Sequence, residues 1–287
     1  MTHSSIASVA NDQSVDALIK TIRIPPRPSM LIDVQAELAS QEPDPKRLAA
    51  TIANDVALAA SLLKLTNSSF FGLRLKASSV EHAVNLLGMR QSGMLMTGII
   101  ARQTVKVDNM SLVKFWDFSA KRAQAMAHLA SRMHICSPDL AHTFGLFCDI
   151  GIPILMERFE GYQTTLELAS QQFEHKFTSI EQERHSTSHT SIGALMARTW
   201  GLPEDVSTAI LVHHDYNVLN DSTTPETVRS LIALALVAEY SIHKYHGEET
   251  LAEWEKGGTQ ACDFLGLGND ELEDRFEELH DLFNRVH

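Results

Sequence analysis

The stretch SSVEHAVNLLG at residues 78–88 carries the start, the apolar face and the end of a single helix. Ser78 and Glu81 have the spacing of a capping box, in which two side chains bind backbone N–H groups of the first turn. Apolar residues then recur three and four positions apart, and Gly88 suits a helix end. The stretch therefore predicts a short amphipathic helix that is specified at both ends.

The same pattern of caps, helical periodicity and proline or glycine stops extends along most of the chain. Asp55 can cap the helix that follows it, and Pro138 starts another because proline loses no needed hydrogen bond at the first helical position. No strict alternation of apolar and polar residues lasts long enough to predict a strand. The predicted fold class is all-α, a multi-helix bundle. Helices are predicted over residues 45–53, 55–66, 89–105, 111–134, 138–147, 188–200, 203–213, 225–246 and 270–284.

A polar break near residues 107–111 divides the chain into two helical lobes that are expected to pack as one unit. The acidic stretch at 247–258 is predicted to be a mobile surface loop with a short helix. The predicted divisions are a flexible segment at 1–16, an N-terminal lobe at 17–108, a C-terminal lobe at 109–246, and an acidic loop with C-terminal helices at 247–287.

Composition and charge narrow the class of protein. Hydrophobic residues make up 44% of the 287 residues and charged residues 21%, which is ordinary globular usage. The net charge of −12 repels phosphate backbones and argues against nucleic acid as a partner. The longest apolar run, at 231–238, is far shorter than the roughly 20 residues of a membrane span, so no membrane association is expected.

The N-terminus and the cysteines indicate a reducing compartment. Residues 1–11 are polar and lack the basic region and apolar core of a secretion signal. Three scattered cysteines are too few for a disulfide framework and have no CxxC spacing. An odd number of free thiols fits the cytoplasm, which is the predicted location.

Several of the 14 histidines suggest a metal site. Asp149 follows one predicted helix, and His213-His214 closes another. His185 and His189 would share a helix face only if the helix continued between them. A hydrolase with a metal-activated water needs neutral imidazoles and carboxylates around an open coordination position.

Each of these residues also has a structural interpretation. A single histidine on an amphipathic helix is usually a satisfied surface or core residue, and a double histidine at a helix end can bind the last carbonyl groups. The residues taken alone leave both interpretations open. The structural interpretation is favoured for His128, His134, His142 and His175.

Four motifs in the N-terminal lobe, in the correct order, resemble the HDOD domain family. The IPPRP segment at 24–28 is similar to the proline-rich entry of these domains. NDVAL at 54–58 is similar to their Asp-Pro-x-Leu helix start, with valine where proline is usual. LTNS at 65–68 followed by Phe-Gly at 71–72, and the helix at 79–88, complete the match. The family implies an all-α, bacterial output domain in two packed lobes, descended from HD-type metal hydrolases.

The C-terminal lobe resembles the HD superfamily, whose signature is a histidine, a His-Asp pair, further histidines and a late aspartate. The resemblance aligns Phe118 with the first histidine, Cys148 with the histidine of the pair, and Glu239 with the late aspartate. Phenylalanine cannot ligate a metal, and a thiolate changes the charge and the metal preference of a site. The metal ligands that the resemblance retains are Asp149, His189, His213 and His214, with Cys148 as an additional candidate.

The resemblance thus implies a remnant site with no catalytic residue, no cofactor, and at most a weakly held divalent metal. Without metal, Asp149 is expected to bond a histidine and raise the pKa of that histidine. The leading interpretation is a non-catalytic HDOD-type signal-transduction or regulatory module that binds other signalling proteins. The alternative is a metal-dependent phosphohydrolase of the HD superfamily with an altered ligand set. No Gly-Tyr-Pro run follows His214, so a phosphodiesterase of the HD-GYP type is not expected.

Overall fold

The protein is built from helices. The computed structural model describes residues 22, 24–68, 71, 75–105, 110–248 and 250–284, and every regular element within these ranges is helical, which confirms the all-α class. The N-terminal helices are α1 (Ser29–Leu38), α2 (Pro45–Ala53), α3 (Val56–Thr66), α4 (Val80–Leu87) and α5 (Met89–Thr104). The C-terminal helices are α6 (Met110–Met133), α7 (Pro138–Phe147), α8 (Gly151–Arg158), α9 (Tyr162–Ser170), α10 (Phe177–His185), α11 (His189–Thr199), α12 (Glu204–Val212), α13 (Glu226–Tyr245), α14 (Ala252–Leu265) and α15 (Asn269–Asn284), with a 3-10 helix at Tyr216–Asn220.

Side-chain caps fix where several helices start. Asp55 accepts hydrogen bonds from two N–H groups of α3, as predicted. The cap of α4 is Ser79, whose hydroxyl accepts from the N–H of His82, so the prediction of Ser78 is wrong by one position. Two serines precede this helix, and the second is the one that lies three residues before the free N–H. Gly88 ends α4 with a φ of 80°, a conformation that favours glycine.

The C-terminal half packs around α13. Every residue from Leu231 to Ala238 is buried, and the helix contacts α6, α7, α12 and α14. Small residues set the spacing of α6 and α7, because a β-carbon at Gly145 would lie 2.8 Å from the Cα of Ala123. The close contact of α6 with α7 holds the turn after α7 against the core.

The apolar stretch Pro138–Arg158 is long enough to cross a membrane by length and composition alone. It comprises α7 and α8, which a turn at 148–150 separates. Within the fold, 67% of its apolar window is buried. The pair α2 and α3 passes the same test only if taken together across a bend of 120°. Burial of this extent is typical of core helices in a packed bundle.

The proline-rich segment at 24–28 crosses to the C-terminal half. The carbonyl oxygen of Pro25 accepts a hydrogen bond of 2.9 Å from Nε1 of Trp200. The guanidinium of Arg27 lies against Gly201, where a β-carbon would be 2.9 Å from a guanidinium nitrogen. This segment therefore ties the start of the domain to the end of α11.

Some predicted divisions fall outside the described residues, and one predicted loop is shorter than expected. The flexible segment at 1–16, most of the break at 107–111, and Gly72 lie outside the described ranges. The predicted loop with a short helix at 247–258 contains the start of α14, which is longer than expected, and Glu253 within it is 7% exposed. Glycine in this segment suggests flexibility in the sequence, but Gly257 serves a close contact, because a β-carbon there would overlap the ring of Tyr216.

Candidate metal centre

Four residues predicted as metal ligands meet at one point of the C-terminal half. Asp149 lies in the turn between α7 and α8, His189 is the first residue of α11, and His213 and His214 follow α12. One ligand atom of each lies within 4.8 Å of the others. These four residues are called the metal group below, and the fold brings together both members of the histidine pair.

Close packing of α8 on α11 places Asp149 beside His189. A β-carbon on Gly151, the first residue of α8, would overlap the carbonyl oxygen of His189, so only glycine allows this approach. The left-handed φ of 56° at Ser186 ends α10 and lets α11 start as a separate helix. His185 and His189 therefore do not share a helix face.

The other histidines considered in the sequence lie outside the metal group. His185 is 2.9 Å from the hydroxyl of Thr165, and His128 is 3.1 Å from the carboxylate of Glu278. His142 lines a cavity between α5 and α7. The structural interpretation of His128 agrees with its contact with Glu278.

Each imidazole of the metal group is oriented by a hydrogen bond on the ring nitrogen that faces away from the group. Nδ1 of His189 is 2.7 Å from the carboxylate of Glu181. Nδ1 of His214 is 2.7 Å from the carboxylate of Glu253, and Nδ1 of His213 is 2.8 Å from a backbone carbonyl of α12. With Nδ1 donating its proton, the lone pair of each Nε2 faces the group, which is the orientation that a metal ion requires.

The inward atoms lie close enough together to bind one metal ion. Nε2 of His189 lies 3.4 Å from Nε2 of His213 and 3.2 Å from Nε2 of His214. Oδ1 of Asp149 lies 3.3 Å from Nε2 of His189 and 3.4 Å from Nε2 of His213. Metal–nitrogen bonds of about 2.0–2.1 Å at tetrahedral angles give edges of roughly 3.3–3.4 Å. These four distances match such edges, but Asp149 and His214 form no ion pair, so the group fits a divalent ion such as Zn²⁺ in a distorted geometry.

In the metal-free protein, a protonated His189 pairs with the carboxylates on either side of it. Burial lowers the pKa of His189, but the carboxylates of Glu181 and Asp149 outweigh burial and raise this pKa to about 10. Burial and the adjacent His213 lower the pKa of His214 to about 4. The expected contact of Asp149 with a histidine is thus present, and the pKa of that histidine is raised.

A buried arginine occupies the other side of Asp149. The side chain of Arg122 in α6 is 1% exposed, and its Nη1 lies 2.5 Å from Oδ2 of Asp149 and 2.7 Å from Oε1 of Glu239. Its Nε donates to the carbonyl oxygen of Gly145 at 2.8 Å. Burial raises the pKa of Asp149, but the guanidinium and the histidines outweigh burial and hold this pKa well below its usual range. Asp149 therefore shares its two oxygens between the histidines and a fixed internal cation.

Arg122 lies among the residues that the HD resemblance aligns with altered metal ligands. Cys148, Asp149 and Glu239 form a second group whose ligand atoms lie within 4.8 Å of one another, and Arg122 contacts both of its carboxylates. The ring of Phe118 is 5.6 Å from the guanidinium carbon. Burial raises the pKa of Cys148 well above its usual value, so its sulfur is a neutral thiol. The guanidinium supplies the positive charge that a metal ion would bring to these carboxylates.

Sequence reasoning missed Arg122, Glu181 and Glu253. One signal was available for Arg122, because it lies four residues after Phe118 and hence on the same face of α6. Glu181 and Glu253 give no such signal, since glutamates are common on exposed helix faces. Their role depends on contacts between helices that are distant in the sequence.

A cleft of about 660 Å³ opens beside His214. Its wall carries hydroxyl groups, among them those of Ser188 and Thr190. The ion pair of Lys176 with Asp215, 2.6 Å long, lies in the same wall. The metal group therefore lies beside an open cleft whose wall includes many polar residues.

Solved structures share this fold. One from Marinobacter aquaeolei VT8, named as a candidate signal transduction protein, has a TM-score of 0.73 and 20% identity over 97% of this chain and 64% of that chain. One from Shewanella amazonensis SB2B, named as a candidate phosphohydrolase, has a TM-score of 0.70 and 18% identity over 96% of this chain and 99% of that chain. An HDOD domain protein with unknown function from Geobacter sulfurreducens has a TM-score of 0.68 and 18% identity over 94% and 97%. At these identities the likeness shows the fold alone.

Sequence comparisons identify the family. An uncharacterised protein of Treponema pallidum (strain Nichols) is 25% identical over 232 residues, which cover 78% of this chain and 43% of that protein. The chain thus spans less than half the length of this curated relative. The family model described as the HDOD domain matches residues 24–216, which include the proline-rich entry segment and the whole metal group. The chain belongs to the HDOD domain family.

Proposed function

We propose that this protein is a non-catalytic HDOD-type regulatory module that acts through contacts with other signalling proteins. In this proposal the metal group holds one divalent ion that stabilises the C-terminal half. The observation that carries the proposal is the buried guanidinium of Arg122 between the carboxylates of Asp149 and Glu239. The part that concerns protein partners rests on the family resemblance.

The metal group offers four protein ligands to one ion. A tetrahedral ion with four protein ligands has no open position, which is typical of structural sites, whereas a catalytic ion keeps a position for water. The ion would bring positive charge to the point where three imidazole lone pairs converge. The metal group would then connect α8, α11 and α12 through one centre.

The positive charge of Arg122 disfavours the binding of a second metal ion beside Asp149. Two-metal hydrolases place their ions about 3.5–4 Å apart, so that both stabilise the same reacting phosphate. Here the far side of Asp149 already has a buried positive charge, 2.7 Å from Glu239. Two like charges at such separations repel strongly in a buried site. This charge supports a module without two-metal phosphoesterase activity.

A second candidate function is a metal-dependent phosphohydrolase with an altered ligand set. The observation that favours it is the polar cleft of about 660 Å³ beside His214, which has room for a phosphoester. One of the similar structures is also named as a candidate phosphohydrolase.

Metal content and turnover distinguish the two functions. The purified full chain is analysed for metals by mass spectrometry and assayed on phosphomonoesters and phosphodiesters with added Mn²⁺, Fe²⁺, Zn²⁺ or Mg²⁺. We expect stoichiometric metal that is lost in His189→Ala and kept in His185→Ala, a matched variant outside the metal group. Hydrolysis by the parent protein that His189→Ala abolishes would establish the enzyme instead. A protein that binds no metal would contradict the structural centre.

A further inference from the structure

A second cavity, of about 150 Å³, lies between the N-terminal and C-terminal helices. Its walls come from α3, α5, α6 and α7 and are mostly apolar, with Leu95, Trp116 and Leu146 among the buried residues. No member of the metal group lines it. A cavity of about this volume accommodates one benzene-sized molecule.

The cavity wall carries one buried polar atom without a partner and one neutral histidine. Oε1 of Gln124 is buried and has no hydrogen-bond partner in the described part of the chain. His142 is 9% exposed, and its imidazole makes no hydrogen bond to any described residue. Burial lowers the pKa of His142 to about 4, so this histidine is neutral near pH 7. An unpartnered buried polar atom costs free energy, so Oε1 of Gln124 beside a cavity suggests a ligand that satisfies it, with the neutral imidazole of His142 in the same wall.

We propose that this cavity binds a small, neutral aromatic molecule that carries a hydroxyl or N–H donor. Gln124 accepts the hydrogen bond of the donor, and the neutral imidazole of His142 provides the second polar contact. The apolar wall around Trp116 contacts the ring. The exposed side chain of Arg102 also lines the cavity, so the space reaches the protein surface there.

The aromatic ring is favoured by size and by the wall. A single ring with one substituent matches the volume, and Trp116 offers an aromatic contact that a ring can use in edge or offset geometry. The neutral charge is favoured because a charged ligand in this apolar space would pay for desolvation without a buried counterion. The donor is favoured because the buried atom of Gln124 is an acceptor.

The position of the cavity gives this ligand a role beyond the proposed function. Leu95 and Gly98 belong to α5, whereas Gln124 and His142 belong to α6 and α7. A molecule bound here contacts helices of both halves and stabilises their packing. Its binding does not depend on the metal group.

The test uses phenol as the probe and toluene as a matched molecule in which methyl replaces hydroxyl. Binding to the full chain, labelled at methionine and leucine methyl groups, is followed by NMR in the millimolar range. We expect phenol to shift the methyl signals of Met94, Leu95 and Leu146 and to bind at least tenfold more tightly than toluene. Equal binding of the two, or shifts confined to other regions, would overturn the proposal.

Variants locate the contact. Ala120→Leu places a larger side chain in the cavity wall and should abolish binding, while Lys114→Leu, on the same helix and outside the wall, should not. Gln124→Leu and His142→Leu should each keep the fold, raise the melting temperature of the free protein, and remove the preference for phenol over toluene. Retained preference in both leucine variants, or unchanged binding in a folded Ala120→Leu variant, would contradict the assignment.

Discussion

The two carboxylate oxygens of Asp149 face different surroundings, called here the histidine face and the arginine face, and they differ in the source of the neighbouring positive charge. On the histidine face, Oδ1 of Asp149 belongs to the metal group. There, Nε2 of each imidazole faces the group and Nδ1 forms a hydrogen bond on the outer side. On the opposite face, Oδ2 pairs with Arg122, so the positive charge is part of the chain. The histidine face suits an exchangeable ion, and the arginine face has a permanent one.

The difference shows that the loss of metal ligands need not leave a buried charge uncompensated. Phe118 and the thiol of Cys148 do not supply what the HD signature requires, yet two carboxylates remain there beside Arg122. Burial raises the pKa of Glu239, while the pKa of Asp149 is held low, so Asp149 is the stronger acid of the two. The carboxylate of Asp149 therefore stays negatively charged and can pair with the histidines.

The largest expected effect comes from removing the fixed charge. Arg122→Met leaves Asp149 and Glu239 close together without their cation, and we expect the free energy of unfolding to fall by about 3–5 kcal/mol. Urea denaturation at neutral pH measures it. Arg132→Met is the matched control in the same helix, since its side chain is 57% exposed and its ion pair with Glu278 should contribute less than about 1 kcal/mol.

A second substitution tests the cause of that loss. Glu239→Gln in the Arg122→Met background removes one of the two uncompensated carboxylates and should restore part of the stability. If Arg122→Met costs no more than Arg132→Met, the arginine face does not depend on its fixed charge.

Removing metal tests the histidine face alone. A chelator should lower the free energy of unfolding by about 2.7 kcal/mol relative to protein with metal at a hundred times the dissociation constant. Thermal denaturation with and without EDTA measures the change, and added Zn²⁺ should reverse it. A protein that loses its metal without any change in melting temperature would show that the centre is not structural.

The outward hydrogen bonds should have a smaller effect, which is measured as a change in metal affinity. Glu253→Gln weakens the orientation of His214 and should reduce affinity by about 10–100-fold, as measured by competition with a chelating dye. Glu255→Gln, an exposed glutamate in the same helix, is the control and should leave affinity unchanged. Equal affinities of the two variants would mean that His214 is oriented without Glu253.

The N-cap of α4 lies far from Asp149, and replacing it gives the stability cost of an ordinary surface substitution for comparison. Ser79→Ala removes the side-chain hydrogen bond at the start of α4 and should cost about 1 kcal/mol by urea denaturation. Ser78→Ala should cost less, because Ser78 is not the capping residue. The opposite order would favour the capping box predicted from the sequence.

Local signals explain why much of the fold was predictable. The helix starts at Asp55 and Pro138 and the stop at Gly88 are encoded within a few residues, and the structure places helix ends there. The helices at 29–38, 151–158, 162–170 and 177–185 were not predicted from the sequence. The acidic, glycine-containing stretch at 247–258 resembles a loop in sequence because its reasons for being buried, Tyr216 and His214, lie in another part of the chain.

The metal-ligand residues of the site could be predicted from the sequence, but the residues that orient or charge-pair with those ligands could not. The metal group followed from the resemblance, because each ligand stands in a recognisable motif. Arg122 and Glu239 are 117 positions apart in the sequence, and nothing local to either predicts their contact. The substitutions at Phe118 and Cys148 indicate only that metal ligands are missing. They do not indicate that the guanidinium of Arg122 supplies the positive charge in place of an ion. The sequence predicts weak metal binding and the proposed centre predicts stoichiometric metal, so metal analysis distinguishes the two.

The position of Glu253 has a consequence for biosynthesis. The ribosome delivers the chain from its N-terminus, so all four ligands of the metal group emerge before Glu239 in α13 and Glu253 in α14. The matched domain ends at residue 216, which already includes the four ligands and neither glutamate. A nascent chain of that length has its histidines without the carboxylate that orients His214, and Arg122 without one of its two partners. A metal centre in which Glu253 orients His214 would therefore be completed only after α14 has emerged and docked.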